Sequence, residues 1–143
     1  MENTEFNILK YISIIQRNTH RFFDLELSAS HIGFGQQFFL VHISEHPGIT
    51  MYGLSLSGHF DKGTVTKAVQ KLAEEGYIRI EPDTQDKRIR HLFVTPEGEP
   101  VVERINLLKG HWKYTLTSEI SEEQLLLLEN SLKSMAQKTC GQI

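Results

Sequence analysis

The stretch 61-DKGTVTKAVQKLAEEGYIRIEPDTQDKRIRHLFVTPEG-98 reads as a helix, a strand, a charged turn and a second strand. In its first part Val65, Val69 and Leu72 recur at i, i+4 and i+7 with Ala68 and Ala73 beside them, so one stripe faces a core. At about 100° per residue the opposite side carries Gly63, Lys67, Gln70 and Glu74, with Thr64, Thr66 and Lys71 on its shoulders. Asp61 is placed to cap this helix and Gly76 to end it. Beyond Gly76, Tyr77, Arg79 and Glu81 alternate with Ile78 and Ile80, and a second strand follows around Leu92 and Val94. Pro82, Asp83, Thr84, Gln85 and Asp86 supply the turn between them, and Lys87, Arg88 and Arg90 make the hairpin tip cationic. That order implies a winged helix, which makes double-stranded DNA the first partner to consider. Lys67 and Lys71 suit phosphates, Gln70 suits the edge of an adenine, and the threonines suit a phosphate or a thymine methyl. A plain solvated face accounts for the helix taken alone, and a hairpin decorated for solubility accounts for the wing taken alone.

Working outward, Ile8, Ile12, Ile15 and Phe22, widened by Leu9, Phe23 and Leu27, trace a first long helix from residue 6 to about 28. After Gly33 and Gly35, residues 36–46 form a shorter helix that stops before Pro47 and Gly48. Thr50 is a cap for a third helix over 51–57, the first of a helix-turn-helix. Its glycines, Gly53 and Gly58, make it a poor helix in isolation, each costing about 1 kcal/mol against alanine. Past the wing, Val101, Ile105, Leu108, Trp112 and Leu116 mark one face of a fifth helix. Ser121 and Gln124 form a capping-box pattern that opens a sixth, with Leu125, Leu128, Leu132 and Met135 along one side. The fold class expected is mainly α with a small β-hairpin wing, a winged helix-turn-helix flanked by long terminal helices.

The 143 residues suit one domain, with no internal repeat or low-complexity segment and no apolar run long enough to cross a bilayer. The opening MENTEFN has no basic region ahead of an apolar block, so no signal peptide is expected. Cys140 is the one cysteine, which excludes an internal disulfide and fits a reducing cytoplasm. A net charge of -3 sits oddly with a nucleic-acid partner, yet Lys62, Lys67, Lys71, Arg79, Lys87, Arg88 and Arg90 gather on the winged helix. Acidic neighbours dilute that excess, so modest, salt-sensitive affinity is expected of one copy, and two copies are needed.

The segment Asp86-Lys-Arg-Ile-Arg-His-Leu-Phe-Val-Thr-Pro-Glu-Gly98 resembles the D-x-R, five residues, L-T-x-x-G signature of the MarR family of bacterial and archaeal transcriptional regulators, with Val94 in the leucine position. HPGIT (46–50), DKGTVTKAVQKL (61–72) and EEGYI (74–78) follow the family's order and spacing. The resemblance implies a single MarR-type domain over 1–143, with dimerisation helices at about 1–30 and 98–140 that interleave between two subunits. The DNA-binding region would span about 34–97. It implies a homodimer on a pseudo-palindromic operator, acting as a repressor in the cytoplasm. In that picture Thr64, Thr66, Lys67 and Gln70 read bases or position the helix, while Lys62 and Lys71 hold phosphates. Arg88 takes the wing-arginine position with Lys87 and Arg90 beside it, and Asp86 orients Arg88.

The resemblance also implies a switch: a small aromatic or anionic ligand, thiol oxidation, or a metal. The family's oxidation branch uses a cysteine in the first helix, where this chain has none. His42 and His46 stand at i, i+4, with His20, His31 and His111 as further candidates, but no cysteine or close carboxylate is read beside them, and no metal site is assigned. No cofactor is expected. A ligand pocket is the default switch, with Phe22, Phe23, Phe38, His42 and Trp112 as candidate lining, residues that serve equally to fill a core. Two other classes stand beside this reading. A winged helix can be a protein-interaction module without DNA binding. An enzyme has no support, since no nucleophile motif, phosphate-cradling glycine loop or paired acids are present.

Overall fold

The structure is a computed structural model that describes residues 6–142, and the reading of MENTEFN as no signal peptide falls mostly outside them. The chain divides into two compact units, one ending at Leu108 and the other beginning at Lys109.

In the first unit, α1 (Ile8–Glu26) leads through a 3₁₀ turn (Ser28–Ser30) to α2 (Phe34–Glu45), β1 (Ile49–Thr50), α3 (Met51–Ser57) and α4 (Lys62–Glu74). Strands β2 (Ile78–Pro82) and β3 (Arg90–Val94) follow, and then α5 (Glu99–Thr117), which runs on into the second unit. The stripe on α4 is the buried one, with Val65, Ala68, Val69 and Leu72 all in the core. Asp61 caps it by accepting from the Thr64 amide at 2.7 Å. At the other end Gly76 takes a φ of 79°, the Tyr77 amide donates to the Leu72 carbonyl and the Gly76 amide to the Ala73 carbonyl. That left-handed closure satisfies the helix's last carbonyls and turns the chain into β2.

The sheet has order β1-β3-β2, antiparallel throughout, with Ile80 and Ile49 both opposite Leu92. The hairpin was legible as alternation; β1 was not, because two residues carry no period, and it adds a third strand on the inner edge. α2 packs against α1, α4 and β3, and its Phe39, Leu40 and Ile43 join Leu27, Leu54, Leu72, Leu92 and Ile105 in a fully buried centre. α3 forms in spite of Gly53, and Gly58, expected to weaken it, stands just past its end as the C-cap. Thr50 caps it by accepting from the Gly53 amide at 3.0 Å, and burial of Leu54 holds it against α4, so tertiary packing outweighs poor local propensity.

The T-P-E-G end of the signature fastens the hairpin to α4. The Thr95 hydroxyl donates to the Gly76 carbonyl at 2.6 Å, the Thr95 amide donates to the Tyr77 carbonyl at 3.0 Å, and the Gly98 amide returns to the Thr95 carbonyl at 3.0 Å. A Cβ at Gly98 would overlap the Tyr77 carbonyl oxygen, so only glycine fits the bend into α5.

The first helix is shorter than expected, starting at Ile8 and giving way at Leu27 to the 3₁₀ turn. Of its described side chains only Phe23 is buried, and Ile8, Leu9, Tyr11, Ile12 and Ile15 face solvent within one chain. In the second unit α6 (Glu122–Thr139) opens with the expected reciprocal box, in which the Gln124 amide donates to the Ser121 hydroxyl and the Ser121 amide to the Gln124 side chain, each at 3.2 Å. None of its described residues is buried, and Leu126, Leu127, Leu128 and Leu132 are exposed. No described helix is long and apolar enough to cross a membrane.

Candidate nucleic-acid interface

Burying Val65, Val69 and Leu72 turns Thr64, Lys67 and Gln70 outward, and all three are exposed on α4. Lys62 is exposed at the helix start. A cleft of about 640 Å³ between α3, α4 and the tip of the hairpin brings Lys62 and Thr66 together with Arg88 and Arg90, along with Val65 and Ile89. Thr64, Lys67, Gln70, Lys71 and Lys87 lie outside it. The expected residues therefore do not form one patch. Four of them converge on a cleft, and the others stand on the flanks.

Local bonds refine the expected roles. The Thr66 hydroxyl donates to the Lys62 carbonyl at 2.8 Å, so it offers a methyl and lone pairs to a partner more readily than a proton. Lys71 is half-buried in the last turn of α4 and paired with Glu75 at 3.2 Å, which neutralises the charge expected to meet a phosphate. Arg79 is absorbed into the wing, its guanidinium 4.4 Å from the centre of the Phe93 ring and its Nε 2.9 Å from Glu81.

The hairpin tip is built around two carboxylates. Asp86 Oδ1 accepts from the backbone amide and Nε of Arg88, and Oδ2 accepts from Nη2, all at 3.0 Å. The guanidinium so oriented has its side chain 91% exposed. The Arg88 side chain first, and its amide second, hold the Asp86 carboxyl below the usual carboxylate range. Asp83 Oδ2 accepts the amides of Gln85 and Asp86, each at 3.1 Å, and Oδ1 lies 2.9 Å from His91 Nε2. His91 Nδ1 lies 2.8 Å from the Gly48 carbonyl, so the ring ties the hairpin turn to the residue just ahead of β1. Asp83 chiefly, then the Gly48 carbonyl, raises the His91 pKa, and the same pairing leads the lowering at Asp83.

Sequence reasoning missed the α3 side of the cleft, where Thr50, Met51, Tyr52 and Ser55 line the wall and Tyr52 is 73% exposed. An aromatic so open on the first helix of a helix-turn-helix is a signal that spacing alone does not give. The four candidate ligand residues of the first unit fall into two aromatic groups. Phe22 and Phe23 meet edge-to-face at 5.3 Å, with Phe34 6.3 Å from Phe23. Phe38 stacks on His42 at 5.5 Å and touches Phe39 and Phe60. Trp112 is half-buried on α5, beyond the start of the second unit.

One reading of the histidines needs correction. Glu45 stands beside His42 and His46, and one donor atom from each of the three lies within 4.8 Å of the others. The pair therefore has a close carboxylate, one helical turn from His42.

A helix-turn-helix whose second helix stands beside a hairpin tipped with an oriented, exposed arginine defines a winged-helix DNA-binding protein. The MarR family model matches residues 35–89. Among curated relatives, the HTH-type transcriptional regulator BilQ of Clostridium symbiosum is 28% identical over 114 residues, covering 80% of this chain and 79% of that one. The uncharacterized HTH-type transcriptional regulator YybA of Bacillus subtilis is 35% identical over 95 residues, 66% of this chain and 63% of that one. A solved MarR protein from Peptoclostridium difficile superposes with a TM-score of 0.89 at 28% identity, covering 97% of this chain and 91% of that one. The chain is thus similar to the MarR family, a family of transcriptional regulators and not of enzymes, in sequence over the helix-turn-helix and the start of the wing and in fold over nearly its whole length. The alternative of a winged helix that serves only as a protein-interaction module finds no support among these relatives.

Proposed function

We propose that this MarR-like regulator works as a homodimer in the cytoplasm, binds a pseudo-palindromic operator in double-stranded DNA, represses transcription there, and is released by a small aromatic or anionic ligand. The observation that carries the reading is the meeting of Lys62, Thr66, Arg88 and Arg90 at one cleft, with the Arg88 guanidinium held outward by Asp86. α4 enters a major groove, where Thr64, Thr66, Lys67 and Gln70 face base edges and Lys62 meets a phosphate. Lys71, tied to Glu75, contributes less. The wing lays Arg88 in the flanking minor groove, where the negative potential of a narrow groove attracts a guanidinium, with Lys87 and Arg90 as supporting charges.

One such module on a chain of net charge -3 binds weakly, and a second copy doubles the contacts. The exposed apolar residues of α1, and separately those of α6, support pairing through the terminal helices. Within the second unit a groove of about 830 Å³, lined by Leu125, Leu126, Leu128 and Leu132, has the apolar character that another helix would cover. A two-fold dimer spaces its recognition helices by about one turn of duplex, roughly 34 Å. A ligand releases the complex only by binding better to a dimer whose wings are spaced wrongly for DNA.

Sedimentation of the full-length protein, alone and with a labelled operator duplex, tests this reading, followed by titration with small aromatic acids. The expected result is two chains in the free protein, two chains per duplex, and release by at least one acid. A monomer that fails to bind duplex at low salt would overturn it.

A further inference from the structure

The last turn of α2 holds a group of side chains that DNA binding does not use. His42 and His46 stand one above the other at i, i+4, and Glu45 joins them at i+3, so a single rigid turn projects two imidazoles and a carboxylate from neighbouring positions. Their donor atoms lie within 4.8 Å of one another. A tetrahedral cation with bonds of about 2.0–2.2 Å needs its ligands roughly 3.5 Å apart, a closure that side-chain rotation supplies without moving the helix. Glu45 and His46 are exposed and have room to make that rotation.

The His42 ring needs no further ordering. It is stacked on Phe38 at 5.5 Å with 14° between the planes, and the His46 ring centre lies 4.4 Å from its own. Burial chiefly, and then the nearby His46, lowers the His42 pKa. The group also sits at a helix C-terminus, where the backbone dipole favours a positive charge, and the Glu45 carboxylate offsets part of the charge a cation brings.

We propose that His42, Glu45 and His46 form a binding site for a divalent first-row transition cation of the zinc class, held by two imidazole nitrogens and one carboxylate oxygen with water completing the shell. Two histidines at i, i+4 on one helix face suffice to chelate zinc when a third donor is present, and a mixed nitrogen and oxygen set selects zinc, nickel or copper over magnesium or calcium. Phe38, which backs the His42 ring, also touches Phe60 at 5.3 Å, in the loop just ahead of the Asp61 cap.

The test is calorimetric titration of the full-length, chelator-treated protein with zinc chloride, run beside His46→Gln, Glu45→Gln and His20→Gln. Circular dichroism checks that each variant keeps its helices. The wild type and His20→Gln should bind one zinc per chain with equal affinity, although His20 itself pairs with Asp24. His46→Gln should bind at least tenfold more weakly and Glu45→Gln severalfold more weakly. Cobalt should give the intense visible absorption of a tetrahedral site in the wild type and lose it in His46→Gln. Equal zinc affinity in the wild type and His46→Gln, or no zinc uptake at micromolar metal, would overturn the assignment. None of these readouts involves DNA, so the result stands apart from that of the operator experiment.

Discussion

The Asp86 carboxylate grips Arg88 through its backbone amide, Nε and Nη2, three contacts of 3.0 Å each, and so aims a guanidinium whose side chain stays 91% exposed. A bidentate fork of this kind fixes direction as well as charge. Removing the orienter and removing the arginine should therefore have different signatures. Asp86→Ala leaves the positive charge in place, so affinity for operator should fall by about three- to tenfold with the salt dependence unchanged, the cost of ordering a loosened side chain on binding. Arg88→Ala should weaken binding further and flatten the plot of log affinity against log salt. Fluorescence anisotropy at several salt concentrations distinguishes the two, and identical salt slopes in both variants would remove Arg88 from the DNA contact.

His91 makes a pH-dependent link between the hairpin and the residue just ahead of β1. Both of its ring nitrogens face acceptors, Asp83 Oδ1 and the Gly48 carbonyl, so only the doubly protonated ring donates to both. Its pKa is raised in the folded protein, so its contribution is complete below the ordinary value near 6.5 and is lost as pH rises through the raised one. Asp83 is lowered, so its share is present above the ordinary value near 4 and is lost as pH falls through the lowered one. His91→Gln should therefore cost most stability between about pH 4 and 6.5 and least at pH 8.5. Urea denaturation at pH 5.5 and 8.5 measures this, and a pH-independent cost would show that the ring acts only by filling space.

Gly98 allows the bend between wing and α5 because no side chain fits against the Tyr77 carbonyl. Gly98→Ala should destabilise the protein by about 1–3 kcal/mol, the usual range for overpacking, and lower the melting temperature by several degrees. An unchanged melting temperature would mean that the backbone there shifts at little cost.

Leu128 and Leu132 are exposed on α6, where they line the apolar groove of the second unit. If a second copy covers them, Leu128→Glu with Leu132→Glu should shift the protein toward monomer by at least tenfold in dissociation constant, because two carboxylates would then be buried without partners. Sedimentation equilibrium reads this directly, and an undisturbed dimer would place the interface elsewhere.

Much of the fold was legible because the signals that specify it are local. The α4 stripe, the Asp61, Thr50 and Ser121 caps, the Gly76 stop and the alternation of the hairpin each lie within a few residues of chain. What escaped depends on distant partners. β1 exists because Ile49 and Thr50 meet Leu92 and His91, more than forty positions away. The start of α2 is satisfied by Asp24 of α1, which accepts the Phe34 amide at 2.9 Å. In the interface, the basic residues were evident from composition, but the α3 wall with Tyr52 and the pairing of Lys71 with Glu75 needed coordinates. Glu45 was within reach of sequence reasoning, since i, i+3, i+4 is as simple a pattern as any capping box.

The measurement that bears most directly on the central claim is selection of bound sequences from a random duplex pool by the purified protein, with Arg88→Ala carried through the same rounds. The account predicts a palindromic motif whose half-site centres lie about one helical turn apart, with enrichment reduced in the variant most strongly at the flanking positions the wing reaches. No enrichment at low salt, or the same motif at the same strength with and without Arg88, would contradict it.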